Sequence, residues 1–145
     1  MAKDLYTAEA RVTGGRVAGH GRTSDGALEV DIRTPAELGG EEGGTNPEQL
    51  FAVGYAACFG SAIEAVARRR KLELGEVAID SRVKLRAGED RSFTIAAELH
   101  VALPSLQEDE AVDLVRAAHR VCPYSNATRG NIEVALSANG TSLDA

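Results

Sequence analysis

The strongest constraint on the fold is a predicted helix over residues 50–70, because its first part is apolar on almost every side. Residues 50–63 read LFAVGYAACFGSAI, and only Gly54, Gly60 and Ser61 interrupt the apolar run. A helix that is apolar all round is buried on most sides. Other structure must therefore surround this segment.

The residues before this helix offer two ways to begin it. Asn46 can cap the first turn with Pro47 at the first helical position, or Thr45 can cap it with Glu48 closing a capping box. At the other end, residues 68–71 read RRRK, and positive charge is favourable at a helix C-terminus. The basic cluster is therefore explained without nucleic acid.

The segments on either side of this helix are mostly strand-like. Three short strands separated by turns precede it, and a hairpin, a second helix and a last strand follow it. The predicted strands span residues 6–13, 16–23, 27–33, 76–86, 92–103 and 131–136, and the second helix spans residues 109–121. This order predicts an α+β fold, and a length of 145 residues fits one domain over residues 1–145.

Composition narrows the function classes. Hydrophobic residues make up 43% and charged residues 26%, which is typical of a globular protein. The net charge of −6 argues against a protein that binds nucleic-acid phosphates. The N-terminus has no secretory pattern, and no stretch reaches the roughly 18 apolar residues of a membrane helix. We therefore expect a cytoplasmic protein with no nucleic-acid or membrane partner.

Several familiar chemical motifs are missing from the sequence. The three histidines, His20, His100 and His119, are scattered without the spacing of metal ligands. No phosphate loop, dinucleotide fingerprint or serine-hydrolase elbow is present. We therefore expect neither a metal nor a cofactor.

The two cysteines are the remaining candidates for chemistry. Cys58 lies in the middle of the apolar helix and Cys122 at the end of the second helix. Each alone is typical of a small core residue, but both together in a reducing compartment suggest a redox pair. A reactive thiolate needs a nearby cation, for which Arg16 and Arg22 are candidates. Glu48 is placed to pair with such an arginine, unless it closes the capping box.

Helix geometry limits how these groups can meet. Glu48 and Cys58 are ten residues apart, which on a straight helix is about 15 Å of rise and roughly 80° of rotation. One arginine can hardly touch both side chains. Either the helix breaks, with Gly54 as the natural point, or the site uses two chains.

Three segments closely resemble a known family. They are Gly14-Gly15-Arg16, residues 43–59 (GGTNPEQLFAVGYAACF) and residues 121–132 (VCPYSNATRGNI). They resemble the organic hydroperoxide resistance proteins, a branch of the Ohr/OsmC superfamily, and the resemblance covers nearly the whole chain. The sequence CPYSN favours this branch over the osmotically induced OsmC branch.

The resemblance implies a thiol peroxidase that uses no metal, haem or flavin. It implies that Cys58 is the nucleophile that attacks the peroxide and Cys122 the resolving thiol. It assigns Arg16 as the arginine of the Gly-Gly-Arg motif and Glu48 as its partner. The family usually continues this motif with Asp-Gly, whereas this chain reads RVAGHGR over residues 16–22. Arg22 therefore stays open as the alternative, with Arg16 favoured.

The same resemblance extends to substrate, reductant and assembly. Apolar side chains around Cys58 would favour organic hydroperoxides over hydrogen peroxide; they are Phe51, Tyr55, Phe59 and Tyr124. The implied reductant is a dihydrolipoyl group on a carrier protein, or a small dithiol. The implied fold has antiparallel sheets packed around long buried helices in an intertwined homodimer. Alternatives are an OsmC-like peroxidase of broader substrate range, and a redox sensor or binding module that uses the same thiol pair.

Overall fold

Helix α1, Pro47–Arg69, is the longest element of the computed structural model, which describes residues 2–144. Its first turn decides between the two predicted starts, since the Gln49 N–H donates to Asn46 Oδ1 over 2.8 Å. Thr45 instead donates its hydroxyl to the Gln49 side chain. Asn46 is therefore the cap, the alternative capping box of Thr45 and Glu48 does not form, and the Glu48 carboxylate is free for another partner.

The chain forms two compact units, and the first ends at Leu50. It contains the predicted meander as a three-stranded antiparallel sheet of β1 (Ala10–Thr13), β2 (Gly19–Thr23) and β3 (Glu29–Ile32). The predicted first strand was too long, because β1 begins only at Ala10. A short 3-10 helix at Ala36–Leu38 follows β3.

The second unit begins at Phe51 and contains a four-stranded sheet. Strands β4 (Ala78–Ala87) and β5 (Phe93–Ala102) form the predicted hairpin. Strand β6 (Val134–Ala138) lies parallel to β5, and β7 (Thr141–Leu143) closes the sheet antiparallel to β6. The α+β class is confirmed, but this sheet is mixed rather than wholly antiparallel.

Two helices connect β5 to β6, as a parallel pair requires a crossover. Helix α2 spans Glu108–Val121, and a six-residue helix α3, Pro123–Thr128, follows directly. The sequence predicted α2 but missed α3 and β7. The sequence also predicted β6 from residue 131, whereas it starts at Val134 because residues 129–131 form the turn after α3.

The core of the second unit lies between α1, the sheet and α2. Its fully buried side chains include Tyr55, Phe59 and Ile63 of α1, Leu99 of β5, Leu103 just after β5, and Leu114 and Val115 of α2. Burial of each such side chain stabilises the fold by about 1.5–3 kcal/mol. The apolar run of the sequence therefore anchors this unit through one face of α1.

From the sequence we expected no stretch as long and apolar as a membrane helix, and α1 corrects this expectation. Among the described residues it is long and apolar enough to cross a membrane, judged by length and composition alone. Core helices of soluble proteins pass the same test, and α1 contributes six buried residues to its fold. Only 33% of its most apolar 18-residue stretch is buried within the chain, and Val53 is 71% exposed.

Candidate active site

The structure brings the two cysteine thiols into contact. Cys58 lies on α1, and Cys122 lies at the junction of α2 and α3. Their Sγ atoms are 3.7 Å apart, and both thiols are free. A disulfide needs about 2.05 Å, so the pair is in contact but not bonded. Cys122 is fully buried, while Cys58 is partly exposed.

The position of Cys122 follows from the proline after it. Proline disfavours helix in the preceding residue, and Cys122 accordingly has extended backbone angles, φ −66° and ψ 124°. Its N–H still donates to Ala118 at the end of α2, and its carbonyl accepts from Asn126 in α3. Cys122 is therefore fixed by backbone hydrogen bonds on both sides.

The surroundings of Cys58 in the second unit do not by themselves make it a thiolate. Burial raises the pKa of the Cys58 thiol above its ordinary value, and the neighbouring Cys122 thiol acts in the same direction. The backbone N–H of Tyr124 lowers this pKa but does not outweigh burial. Since the thiolate is the nucleophile, a peroxide-reactive Cys58 needs a further positive group.

Aromatic side chains lie along the same stretch of α1. The rings of Phe51, Tyr55 and Tyr124 lie within 5.9 Å of one another, centroid to centroid, and Phe59 lies 6.5 Å from Tyr55. Tyr55 and Phe59 are fully buried, whereas Tyr124 is 39% exposed. Of the four predicted pocket residues, only Phe51 and Tyr124 present a surface that a ligand can reach in the described chain.

Gly54 makes room for the exposed ring of this cluster. A Cβ at Gly54 would lie 3.2 Å from the Tyr124 hydroxyl oxygen and 3.4 Å from a ring carbon. Such contacts are tighter than ordinary packing allows without movement of the ring. The glycine therefore lets Tyr124 lie directly against α1, next to the turn that carries Cys58.

Three buried hydroxyl groups join α1 to α3, and the sequence prediction missed two of them. The Tyr55 hydroxyl lies 2.8 Å from Ser125 Oγ and 3.2 Å from Thr128 Oγ1. Thr128 also donates to the Ser125 carbonyl. A buried tyrosine inside an apolar helix needs a hydrogen-bond partner, and this need was the sequence signal that such hydroxyls exist. Which residues are the partners of the Tyr55 hydroxyl depends on how α3 packs against α1.

The predicted ion pair forms in the first unit between Arg16 and Glu48. Two parallel bonds of 2.8 Å join the guanidinium to both carboxylate oxygens. Such bidentate pairs are strong and fix orientation. Arg16 lowers the pKa of Glu48, and Glu48 raises the pKa of Arg16. Side-chain exposure is 34% for Arg16 and 16% for Glu48, so solvent partly screens the pair.

Backbone geometry explains why Arg16 rather than Arg22 meets Glu48. Gly14 and Gly15 have φ values of 77° and 61°, which favour glycine, and Arg16 lies in the turn they form. A Cβ at Gly14 would overlap the Ala18 carbonyl. Arg22 lies on β2, where its Nε is 3.7 Å from Glu29. The Gly-Gly pair therefore sets the position of the arginine that follows it.

Helix α1 runs unbroken through Gly54, from Pro47 to Arg69. Of the two alternatives that helix geometry left open, the break at this glycine does not occur. Among residues 2–144, no group of three or more His, Cys, Asp and Glu side chains is arranged to hold a metal ion.

Similarity to known proteins first shows the family to which this chain belongs. The model of the OsmC-like protein family matches residues 39–137. This α+β fold with a thiol pair belongs to the OsmC-like family.

Individual relatives narrow this class. An organic hydroperoxide resistance protein of Xanthomonas axonopodis pv. citri is 56% identical over 137 residues, covering 92% of this chain and 94% of that protein. OhrB of Bacillus subtilis is 47% identical over 133 residues, covering 91% and 96%. The crystal structure of an organic hydroperoxide resistance protein of Legionella pneumophila is 52% identical with a TM-score of 0.89, covering 93% and 98%. Within the family, the chain belongs to the organic hydroperoxide resistance branch, which confirms the resemblance stated above.

Proposed function

We propose that this protein acts in resistance to organic hydroperoxides by reducing them to alcohols with the Cys58 thiol. The observation that carries the proposal is the pair of free thiols 3.7 Å apart, one buried and one reachable. Relatives named for organic hydroperoxide resistance, at 56% and 47% identity, support it. The proposed compartment is the cytoplasm, where reducing conditions keep such thiols free.

In the first proposed step, the Cys58 thiolate attacks one peroxide oxygen. The S–O bond forms as the O–O bond breaks, and the departing alkoxide takes a proton to become the alcohol. Cys58 is oxidised to a sulfenic acid. Phe51 and the exposed ring of Tyr124 would contact the organic group of the substrate, whereas hydrogen peroxide has no apolar group for them to contact.

In the second proposed step, Cys122 attacks the sulfenic sulfur of Cys58. An S–S bond forms, the S–O bond breaks, and the hydroxyl leaves as water with the Cys122 proton. The 3.7 Å contact supports this step, because closing it needs a movement of less than 2 Å. The disulfide protects Cys58 from further oxidation by a second peroxide.

A dithiol would reduce this disulfide, and we propose a dihydrolipoyl group on a carrier protein, or a small dithiol. Because Cys122 is fully buried and Cys58 is partly exposed, the reductant would attack the Cys58 sulfur. Cys122 then leaves as a thiolate, and the second thiol of the reductant releases Cys58.

The proposed role of the Arg16–Glu48 pair is to stabilise the thiolate and the departing alkoxide. Glu48 holds the guanidinium by both oxygens. Glu48 and Cys58 are ten residues apart on one unbroken helix, which is about 15 Å of rise. We therefore propose a homodimer in which Arg16 and Glu48 of one protomer serve Cys58 of its partner. The apolar surface that α1 leaves exposed supports such an interface.

The test of the chemistry is dihydrolipoamide-coupled turnover of tert-butyl hydroperoxide and hydrogen peroxide by wild type and Cys58→Ser. We expect faster turnover of the organic peroxide and none in the variant. Similar rates with both peroxides would favour an OsmC-like enzyme of broader range. Formation of the disulfide without repeated turnover would favour a redox sensor.

The test of the shared site is complementation between two inactive variants. Cys58→Ser and Arg16→Met chains are each inactive or nearly so, and mixing them after dissociation produces mixed dimers. A site built from two protomers regains about a quarter of wild-type activity, because half of the dimers then hold one complete site. A site within one chain regains none, and that result would remove the shared-site proposal while leaving the thiol chemistry intact.

A further inference from the structure

The Tyr55 hydroxyl is buried against α3, and the peroxidase chemistry proposed above does not use it. Tyr55 is fully buried, as is its partner Ser125. It lies three residues before Cys58 on α1, so both side chains are on neighbouring positions of one helix face. Its hydroxyl therefore binds α3 close to the turn that carries the reactive thiol.

The three hydroxyls and the Ser125 carbonyl together can form one fully satisfied network. Thr128 donates to the Ser125 carbonyl, which leaves the Thr128 oxygen to accept from Tyr55. The Tyr55 oxygen can then accept from Ser125. Each hydroxyl donates once, and each buried oxygen has a partner. Removing the Tyr55 oxygen leaves the buried Ser125 hydroxyl without its acceptor, which is unfavourable.

Helix α3 is short, and two groups at its start act on Cys58. Cys122 is the residue before its first turn, with its sulfur 3.7 Å from that of Cys58. The Tyr124 backbone N–H lowers the pKa of the Cys58 thiol and so favours its thiolate form. A six-residue helix has little stability of its own, so its position on α1 depends on contacts such as the Tyr55 network.

We propose that Tyr55 is a positioning residue, whose hydroxyl holds α3 against α1 so that the Cys122 thiol and the Tyr124 N–H both face Cys58. This inference has two consequences, and only the second rests on the proposed peroxidase function. The first consequence is the reactivity of the reduced Cys58 thiol. The second is how quickly Cys122 captures the sulfenic acid.

The variant that tests the proposal is Tyr55→Phe, which keeps the ring and removes only the hydroxyl. The matched control is Tyr6→Phe, the same change at a tyrosine that is 81% exposed and has no part in the hydroxyl network. Ser125→Ala approaches the same hydrogen bond from α3 and should act in the same direction with a smaller effect, because Tyr55 keeps Thr128. Thermal unfolding establishes that each variant is folded.

The first measurement is the alkylation rate of Cys58 against pH in a Cys122→Ser background, without peroxide. We expect Tyr55→Phe to move the midpoint to higher pH, because the Tyr124 N–H is less well held. Tyr6→Phe leaves the midpoint unchanged. An unchanged midpoint in a folded Tyr55→Phe variant would overturn this part of the proposal, whatever the enzyme does with peroxide.

The second measurement is the ratio of sulfinic acid to disulfide at Cys58 after treatment with excess organic hydroperoxide, read by mass spectrometry. Sulfinic acid forms when the sulfenic acid reduces a second peroxide to its alcohol before Cys122 reacts. We expect the ratio to rise about two- to tenfold in Tyr55→Phe, the equivalent of one lost hydrogen bond. A wild-type ratio in that variant would overturn the positioning role. Absence of any disulfide in the wild-type protein would instead contradict the proposed function.

Discussion

The thiol pair and the ion pair of this protein are built in opposite ways. The thiol pair has one buried and one partly exposed sulfur, and its position depends on the packing of α1 against the junction of α2 and α3. The ion pair is charged and in partial contact with solvent, and it depends on a glycine turn and the first turn of a helix.

The difference bears on the proposed peroxidase reaction, which would need both the thiol pair and the ion pair. Apolar packing brings two sulfurs into contact, but burial also raises the pKa of Cys58 and so suppresses its thiolate. A bidentate arginine supplies charge at a fixed place, but it has no nucleophile of its own. In the proposed mechanism, the ion pair would supply the positive charge that the thiol pair lacks.

The largest effect should come from breaking the thiol pair at its nucleophile. Cys58→Ser should lower kcat/KM for tert-butyl hydroperoxide by at least about a thousandfold, because a hydroxyl at neutral pH is a poor nucleophile. Stopped-flow kinetics with dihydrolipoamide checks this. Cys122→Ser is the matched control, and it should still complete one reduction while forming no Cys58–Cys122 disulfide. Equal loss of that first reduction in Cys122→Ser would contradict the separate roles of the two thiols.

Removing the charge should have the next largest effect. Arg16→Met should reduce kcat/KM about a hundredfold, the typical cost of losing one group that stabilises developing negative charge. It should also move the pH midpoint of Cys58 alkylation upward, because the thiolate loses its cation. Arg22→Met is the control, since Arg22 lies beside Glu29. A larger loss in Arg22→Met than in Arg16→Met would transfer the role to Arg22.

A smaller effect should follow from changing the surface beside the thiols. Gly54→Ala should displace the Tyr124 ring, whose nearest atoms would lie 3.2–3.4 Å from the added methyl group. We expect a loss of about two- to fivefold in kcat/KM for a bulky organic peroxide and little change for hydrogen peroxide. Gly60→Ala serves as the control, because an added Cβ there meets only ordinary contact at 3.6 Å. Identical losses with both peroxides would argue that Tyr124 does not contact the organic group.

The smallest effect concerns the contribution of the ion pair to stability. Because Arg16 depresses the pKa of Glu48 in the folded protein, the pair stabilises the fold above the unfolded pKa of glutamate. That contribution is lost as the pH falls through the lower, folded pKa. Glu48→Gln should therefore cost within about 1 kcal/mol near pH 7, and the cost should disappear in acid. Urea denaturation of both proteins at several pH values measures the difference, which should not grow on acidification.

Local sequence patterns predicted much of the fold. The apolar run predicted α1, and the strand-like segments predicted the meander and the β4–β5 hairpin. These elements depend on interactions between residues close in sequence, such as caps, turns and side-chain periodicity. The parallel placement of β6 beside β5 and the short helix α3 carry no comparable local signal, and both were missed.

For the candidate site, the sequence by itself determined which residue types are available: two cysteines, the Gly-Gly-Arg turn, and a glutamate at the start of an apolar helix. Only the tertiary structure decided that the two sulfurs are 3.7 Å apart, that Asn46 caps α1 and leaves Glu48 to Arg16, and that Tyr55 binds Ser125. Contacts across 64, 32 and 70 residues depend on how whole elements pack, which no short-range pattern encodes.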